Sequence, residues 1–132
     1  MATADALIGL GMPAESAIRL GYQQVSVTTT AATQGSAGGI LNGPGNKIVS
    51  ATFASAGHAI TLPAAAEIGD EIIISNVTAN AGLIFPPSGG NIDGEGTNED
   101  VAMAAQGSAG SIQLFVKLSA TRWGSWKNIA AD

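Results

Sequence analysis

Cysteine is absent from this chain of 132 residues, which excludes a disulfide framework, a thiolate metal site and a cysteine nucleophile together. Histidine occurs once, as His58, so a metal site built from several imidazoles is excluded as well. Charge is scarce: Asp, Glu, Lys and Arg make up 11% of the chain, where an average soluble domain carries roughly 25%. The basic residues Arg19, Lys47, Lys117, Arg122 and Lys127 are scattered and the net charge is −5. No stripe exists to neutralise phosphates, and nucleic acid is not an expected partner. No apolar run approaches the ~18 residues of a membrane span, and the first residues lack the basic region and apolar core of a secretory signal. The expected setting is therefore a cytoplasm, with no membrane partner.

What the chain does have is small and apolar. Hydrophobic residues reach 45%, much of it alanine, and there are 18 glycines. A surface this poor in charge is expected to lie against a partner, because exposed apolar area marks an interface. The length fits one β-domain, residues 22–132, preceded by an arm of residues 1–21.

In the arm, Pro13 suits a first helical position, Glu15 and Arg19 are spaced i,i+4, and Gly21 can end the helix in the left-handed conformation. One or two turns are predicted. A helix that short is marginal in water and must dock through Leu7, Ile8, Leu10, Met12, Ile18 and Leu20. Tyr22 to Thr30 then alternates as a half-buried strand, with Val25, Val27 and Thr29 on one side and Gln24, Ser26 and Thr28 on the other. Ala31 to Asn46 reads as a long glycine-rich loop anchored only by Ile40 and Leu41.

Lys47 to Ser55 and His58 to Leu62 are predicted strands, joined as a hairpin or a bulged continuous strand, with Pro63 ending the second. The β-branched Ile72, Ile73 and Ile74 predict a further strand, and Asn80 to Gly82 supplies residues that tolerate the positive φ of a hairpin returning through Leu83 to Phe85. Pro86-Pro87 ends that strand and Ser88-Gly89-Gly90 turns the chain. Val101 to Ala105 is a weaker strand. In Ser111 to Ser119, Ile112, Leu114, Val116 and Leu118 face one way and Ser111, Gln113, Lys117 and Ser119 the other. Trp123 and Trp126 lie on opposite faces of a last strand. Short strands with turns at intervals near ten residues predict an all-β fold, an antiparallel β-sandwich or jelly-roll-like barrel with a short N-terminal arm or helix.

Few constellations carry chemistry. Asp93, Glu95, Asn98, Glu99 and Asp100 alternate with glycines as in calcium loops, but the twelfth position counted from Asp93 is Ala104, where a bidentate Glu is needed. A solvated acidic turn is the simpler reading, and no metal is expected. His58 has no Gly-x-Ser-x-Gly elbow with it, and Asn42 to Lys47 lacks the Gly-Lys-Ser/Thr ending of a phosphate loop. Asn76-Val77-Thr78 is a glycosylation sequon without a secretory signal. No catalytic residue and no cofactor are expected. Trp123 and Trp126 offer either a glycan-stacking pair or one core ring and one subunit-interface ring.

The strand ending Asn76-x-x-x-Asn80, the run Leu83-Ile-Phe-Pro-Pro-Ser-Gly-Gly-Asn-Ile-Asp-Gly94 and the later Ser119-Ala-Thr-Arg-Trp-Gly-Ser-Trp126 resemble small virion structural proteins of tailed bacteriophages, including capsid decoration (cement) proteins. The likeness spans Ile48 to Trp126. It implies a non-enzymatic homotrimer on the outer surface of the head, assembled in the host cytoplasm and bound to the major capsid protein, with the arm residues Leu7, Ile8, Leu10, Met12, Ile18 and Leu20 as capsid contacts and Trp123 and Trp126 at the trimer interface. The alternative within the same group is a tail or head fibre domain that binds host-surface glycans through those tryptophans.

Overall fold

The computed structural model describes residues 21–129; the predicted arm helix lies outside them. Nine strands follow one another: β1 (Tyr22–Thr28), β2 (Asn46–Thr52), β3 (Ala59–Thr61), β4 (Glu71–Asn76), β5 (Gly82–Phe85), β6 (Asn91–Ile92), β7 (Val101–Met103), β8 (Ile112–Lys117) and β9 (Arg122–Lys127). A single 3-10 turn, Ala37–Gly39, interrupts the first long loop. The strands form a large sheet in the order β1-β2-β4-β8-β9-β6 and a small one in the order β3-β5-β7.

The all-β expectation holds, but the sheets are mixed rather than antiparallel. β1, β2 and β4 run parallel, as do β3 and β5 in the small sheet and β6 and β9 in the large one, while β4-β8, β8-β9 and β5-β7 are antiparallel. Parallel neighbours need a crossover connection, and here the β2–β4 crossover runs through β3 of the small sheet, while the β1–β2 crossover touches that sheet at the isolated Ile40–Thr61 bridge. From β2 the chain passes to β3, returns to the large sheet as β4, and passes again to the small sheet as β5. Tyr22 stands beside Asn46, 24 positions on, Lys47 beside Ile72, 25 on, and Ala59 beside Leu83, 24 on. The chain therefore winds in turns of nearly constant length.

This winding corrects the predicted hairpin at Asn80 to Gly82, and for Lys47 to Ser55 and His58 to Leu62 it corrects both alternatives, the hairpin and the bulged continuous strand. β2 and β3 do not pair, nor do β4 and β5, and neither Asn80 nor Gly82 adopts a positive φ. What looked like tight reversals are corners between sheets. The Asn76/Asn80 spacing braces one of them. The Asn76 side chain donates to Asn80 O at 2.7 Å and Ala104 O at 2.9 Å, and its Oδ1 accepts from Thr78 N at 2.9 Å. Asn80 Nδ2 in turn donates to Phe53 O at 2.8 Å. Local side-chain bonds of this kind replace the ladder where a strand stops.

Inside the winding, β2 supplies Val49 and Ala51, β4 Ile72 and Ile74, β8 Phe115 and β9 Trp123, and these share one core with Phe53, Ile60, Leu62, Ile84 and Met103. The expected anchor of the first loop is half right: Leu41 joins the core while Ile40 stays exposed and bridges to Thr61. Gly82 is the tightest point. A Cβ there would fall 2.1 Å from Phe53 Cε1, so the absence of a side chain is what lets the corner close over the ring. Overpacking of a filled core costs about 1–3 kcal/mol. Gly82→Ala should accordingly lower the unfolding free energy by about that amount in urea titration, whereas an unchanged midpoint would show that the ring has room to move.

Candidate interaction surface

Strand alternation gives the large sheet an inner and an outer face. The inner face carries Val49, Ile72, Ile74, Gln113 and Phe115, all fully buried. Gln113 is the unexpected member. It is held inside by donating to Ala102 O at 2.8 Å and Gly110 O at 3.1 Å, which offsets part of the cost of burying the amide, whose Oε1 has no hydrogen-bond partner among the described residues.

The outer face receives what the inner one leaves. In register across β1, β2, β4, β8 and β9 stand Gln24, Ile48, Ile73, Leu114 and Trp126. To one side of this row are Ser26, Ser50, Ser75 and Ile112; to the other, Val116 pairs Gly124. Leu118 lies beside Gly124, where a Cβ would come within 3.0 Å of Leu118 Cδ1. The aliphatic set of Ser111 to Ser119 does face one way, and that way is outward. Ile48, Ile112, Leu118 and Trp126 are all exposed.

Of the two tryptophans, Trp123 is 1% exposed and belongs to the core, while Trp126 is 57% exposed. Only Trp126 is placed to touch a partner. The arm residues Leu7, Ile8, Leu10, Met12, Ile18 and Leu20 lie outside the described residues.

Charge on this face stands at strand ends: Arg122, exposed at the start of β9, shares the face of Gly124 and Trp126, and Glu71 begins β4. Glu71, which neighbours Val116 in the ladder, accepts the hydroxyl of Tyr22, and its backbone N–H donates to Asn46 Oδ1 at 2.9 Å. Lys47 points inward. It is 1% exposed and its Nζ donates to the carbonyls of Gly43, Pro44 and Gly45 at 2.9, 3.2 and 3.3 Å. Burial holds this ammonium below the usual lysine range, partly offset by Asp70. The Asn42–Lys47 segment is thus a loop closed on its own lysine, with Asp70 Oδ2 accepting from Gly45 N and Glu67 N, both at 2.8 Å.

The remaining polar groups singled out in the sequence are engaged in the same local way. His58 Nδ1 is 3.0 Å from Thr29 Oγ1. Asp93 accepts from Ser125 N at 2.7 Å and from the Ser125 hydroxyl, and Asn98 Oδ1 accepts from Gly89 N at 2.7 Å. Asp93 and Asn98 take positive φ values of 56° and 65°, and Glu99 Oε2 accepts from Gly96 N at 3.3 Å. Among the described residues no three His, Cys, Asp or Glu side chains group as a metal site. No helix among them is long and apolar enough to cross a membrane. A cleft of about 180 Å³ between Pro87–Gly90, Lys117, Thr121 and Trp123 is lined by a lysine that already donates to Ala66 O at 2.7 Å.

The Tyr22–Glu71 pair yields a direct test, because Tyr22 is the single tyrosine of the chain. Burial first, then the hydrogen bond and the charge of Glu71, push its phenol up to about 12 from 10.0. The folded value lies above the unfolded one, so the stabilisation is complete below pH 10 and is lost as pH rises through about 12. Tyrosinate absorbance of the folded protein should show its midpoint near 12, moving down in Glu71→Gln; an ordinary midpoint would mean the pair does not form in solution. Comparison with known proteins gives no identification: no family model, no curated protein and no solved structure matches this chain.

Proposed function

We propose that this chain is a non-enzymatic structural subunit of a tailed-phage virion, a capsid decoration (cement) protein that binds the outer surface of the head as a homotrimer and stabilises the lattice of the major capsid protein. The observation that carries the reading is the outer face of the large sheet. A half-exposed tryptophan, aliphatic rows and serines with so little charge have no use on a free monomer and are what a subunit buried in an assembly presents. The resemblance of Leu83 to Gly94 and Ser119 to Trp126 supplies the class of assembly. The two sheets, closing over one core, are the layers of a sandwich in this reading. A protein that binds only the assembled lattice stabilises it by mass action, and symmetric copies multiply modest contacts.

A second reading is favoured by one feature, the exposed ring of Trp126. In a tail or head fibre domain such a ring stacks on host-surface glycans. The two readings differ in where the protein sits. Antibody-labelled virions in the electron microscope should carry label over the whole head; label confined to the tail, with a glycan-array signal abolished by Trp126→Ala, would replace the first reading by the second.

The arm contributes attachment in this account. Burying Leu7, Ile8, Leu10, Met12, Ile18 and Leu20 at about 1.5–3 kcal/mol each supplies, even after ordering costs, much of one subunit's affinity. A chain lacking Met1 to Leu20 should keep its cooperative melt yet fail to co-sediment with capsids stripped of the native protein. Unchanged co-sedimentation would move the capsid contact elsewhere, and loss of the melt would make the arm part of the core.

A further inference from the structure

We propose that the free edge of β1 is a strand-addition site, where an extended segment of the major capsid protein pairs with this chain and lengthens the large sheet by one strand. This rests on the virion reading above and names how the lattice protein is held. The two edges of the sheet differ. At one edge β6 has two residues, Asn91–Ile92, while at the other β1 has seven, Tyr22–Thr28, in unbroken register with β2. Exposed edges are ordinarily blunted by shortness, lysine, proline or a bulge, because a row of unpaired backbone groups recruits another strand. β6 is blunted by its length. The β1 sequence Tyr-Gln-Gln-Val-Ser-Val-Thr has no charge, no proline and no bulge to do the same.

One bond fixes which backbone groups are open. Thr29 N donates to Thr52 O at the end of β2, and backbone groups of successive strand residues point to alternate sides, so Gln23, Val25 and Val27 also turn theirs to β2. The N–H and C=O of Tyr22, Gln24, Ser26 and Thr28 therefore point away from it. Among the described residues no strand pairs with β1 on that side. The turn Ala37–Gly39 closes the Thr28 end, where a Cβ on Gly38 would fall 2.9 Å from Thr28 O, which leaves Tyr22 to Ser26 open. A row of donors and acceptors at every second residue is matched by another extended backbone, not by a helix, whose groups are bonded internally. Val25 lies on the inner parity of this edge, partly buried against the core, so the added strand carries an apolar residue beside it. Within a homotrimer the described strands of another copy do not fill the place. Pairing β1 with β1 is two-fold and closes no ring of three, and the other edge strands, β6 and β7, have two and three residues. The residues given capsid attachment above, Met1 to Leu20, lead in sequence to Tyr22, so the surface that holds them lies next to this edge.

The experiment is amide hydrogen exchange on the full chain, free and bound to capsids stripped of the native protein, read residue by residue by mass spectrometry, with co-sedimentation measured in parallel. In the free protein the amides of Gln24 and Ser26 should exchange about tenfold faster than those of Val25 and Val27, which donate to β2. On the capsid all four should be slow. Ser26→Pro removes an outward N–H at an edge position, where proline is tolerated, and should keep the cooperative melt while weakening co-sedimentation by about tenfold. Ser26→Ala keeps that N–H and should bind as wild type does. Where Ser26→Pro fails to fold, the exchange pattern of the wild type decides. Gln24 and Ser26 amides already slow in the free protein would overturn the inference, because the edge is then covered by residues 1–20 or by a second copy. Amides that stay fast on the capsid, or a folded Ser26→Pro that binds as wild type does, would overturn it and leave the decoration reading standing. A protein that ignores capsids would remove the inference and the decoration reading together.

Discussion

Parallel strands cannot be joined by a tight turn, so a chain that lays Tyr22–Thr28, Asn46–Thr52 and Glu71–Asn76 side by side in one direction must carry the intervening residues elsewhere. Here the residues between the second and third of these strands supply β3 of the second sheet, and those between the first and second touch it at the Ile40–Thr61 bridge. Each crossing places its inward residues, Ile60 and then Ile84, over Val49, Ile72 and Ile74, and the enclosed space becomes the core. The corners are where the constraint bites. Phe53 fills the space beside Gly82, and Asn76 and Asn80 take up the backbone groups that leave the ladder.

The same geometry fixes what lies outside. Inner positions of β8 belong to Gln113 and Phe115, so its aliphatics at 112, 114 and 116 must point away from the core. An ordinary water-facing sheet alternates apolar inside with polar outside. In β8 the alternation is reversed around Gln113, and the buried amide is kept by carbonyls of Ala102 and Gly110 that only the fold brings near. Burial of Lys47 on its own loop takes one charge from the surface, while Glu71, which accepts the Tyr22 hydroxyl, keeps its charge. The centre of the outer face is uncharged, and its charges, Glu71 and the exposed Arg122, stand at the ends of their strands.

Much of this was legible residue by residue, and the rest depended on partners far along the chain. Alternation located most of the strands, the proline pair ended β5 at Phe85, and the odd spacing of Trp123 and Trp126 separated a buried ring from an exposed one. The corners misled because Asn80 and Gly82 serve a hairpin and an inter-sheet corner equally well; which strand a segment pairs with is not a local property. The winding of 24 or 25 residues was hidden because the turns share inward parity rather than residue identity, as Ala59 beside Leu83 shows. Nothing in Ser111 to Ser119 marks the aliphatic side as outer except Phe115 on the opposite parity, a signal that could have been weighed.

The central claim is that the outer face of the large sheet is covered in the assembly. Because the chain has no cysteine, a single spin label can be placed at will, and Ser75→Cys puts one on the outer face in the row beside Leu114 while Ala65→Cys puts one on an exposed loop. The spectrum of the Ser75 label should change to the immobilised form when the protein binds capsids stripped of the native protein, while the Ala65 label stays mobile. A Ser75 label that stays mobile in the sedimenting complex would contradict the account.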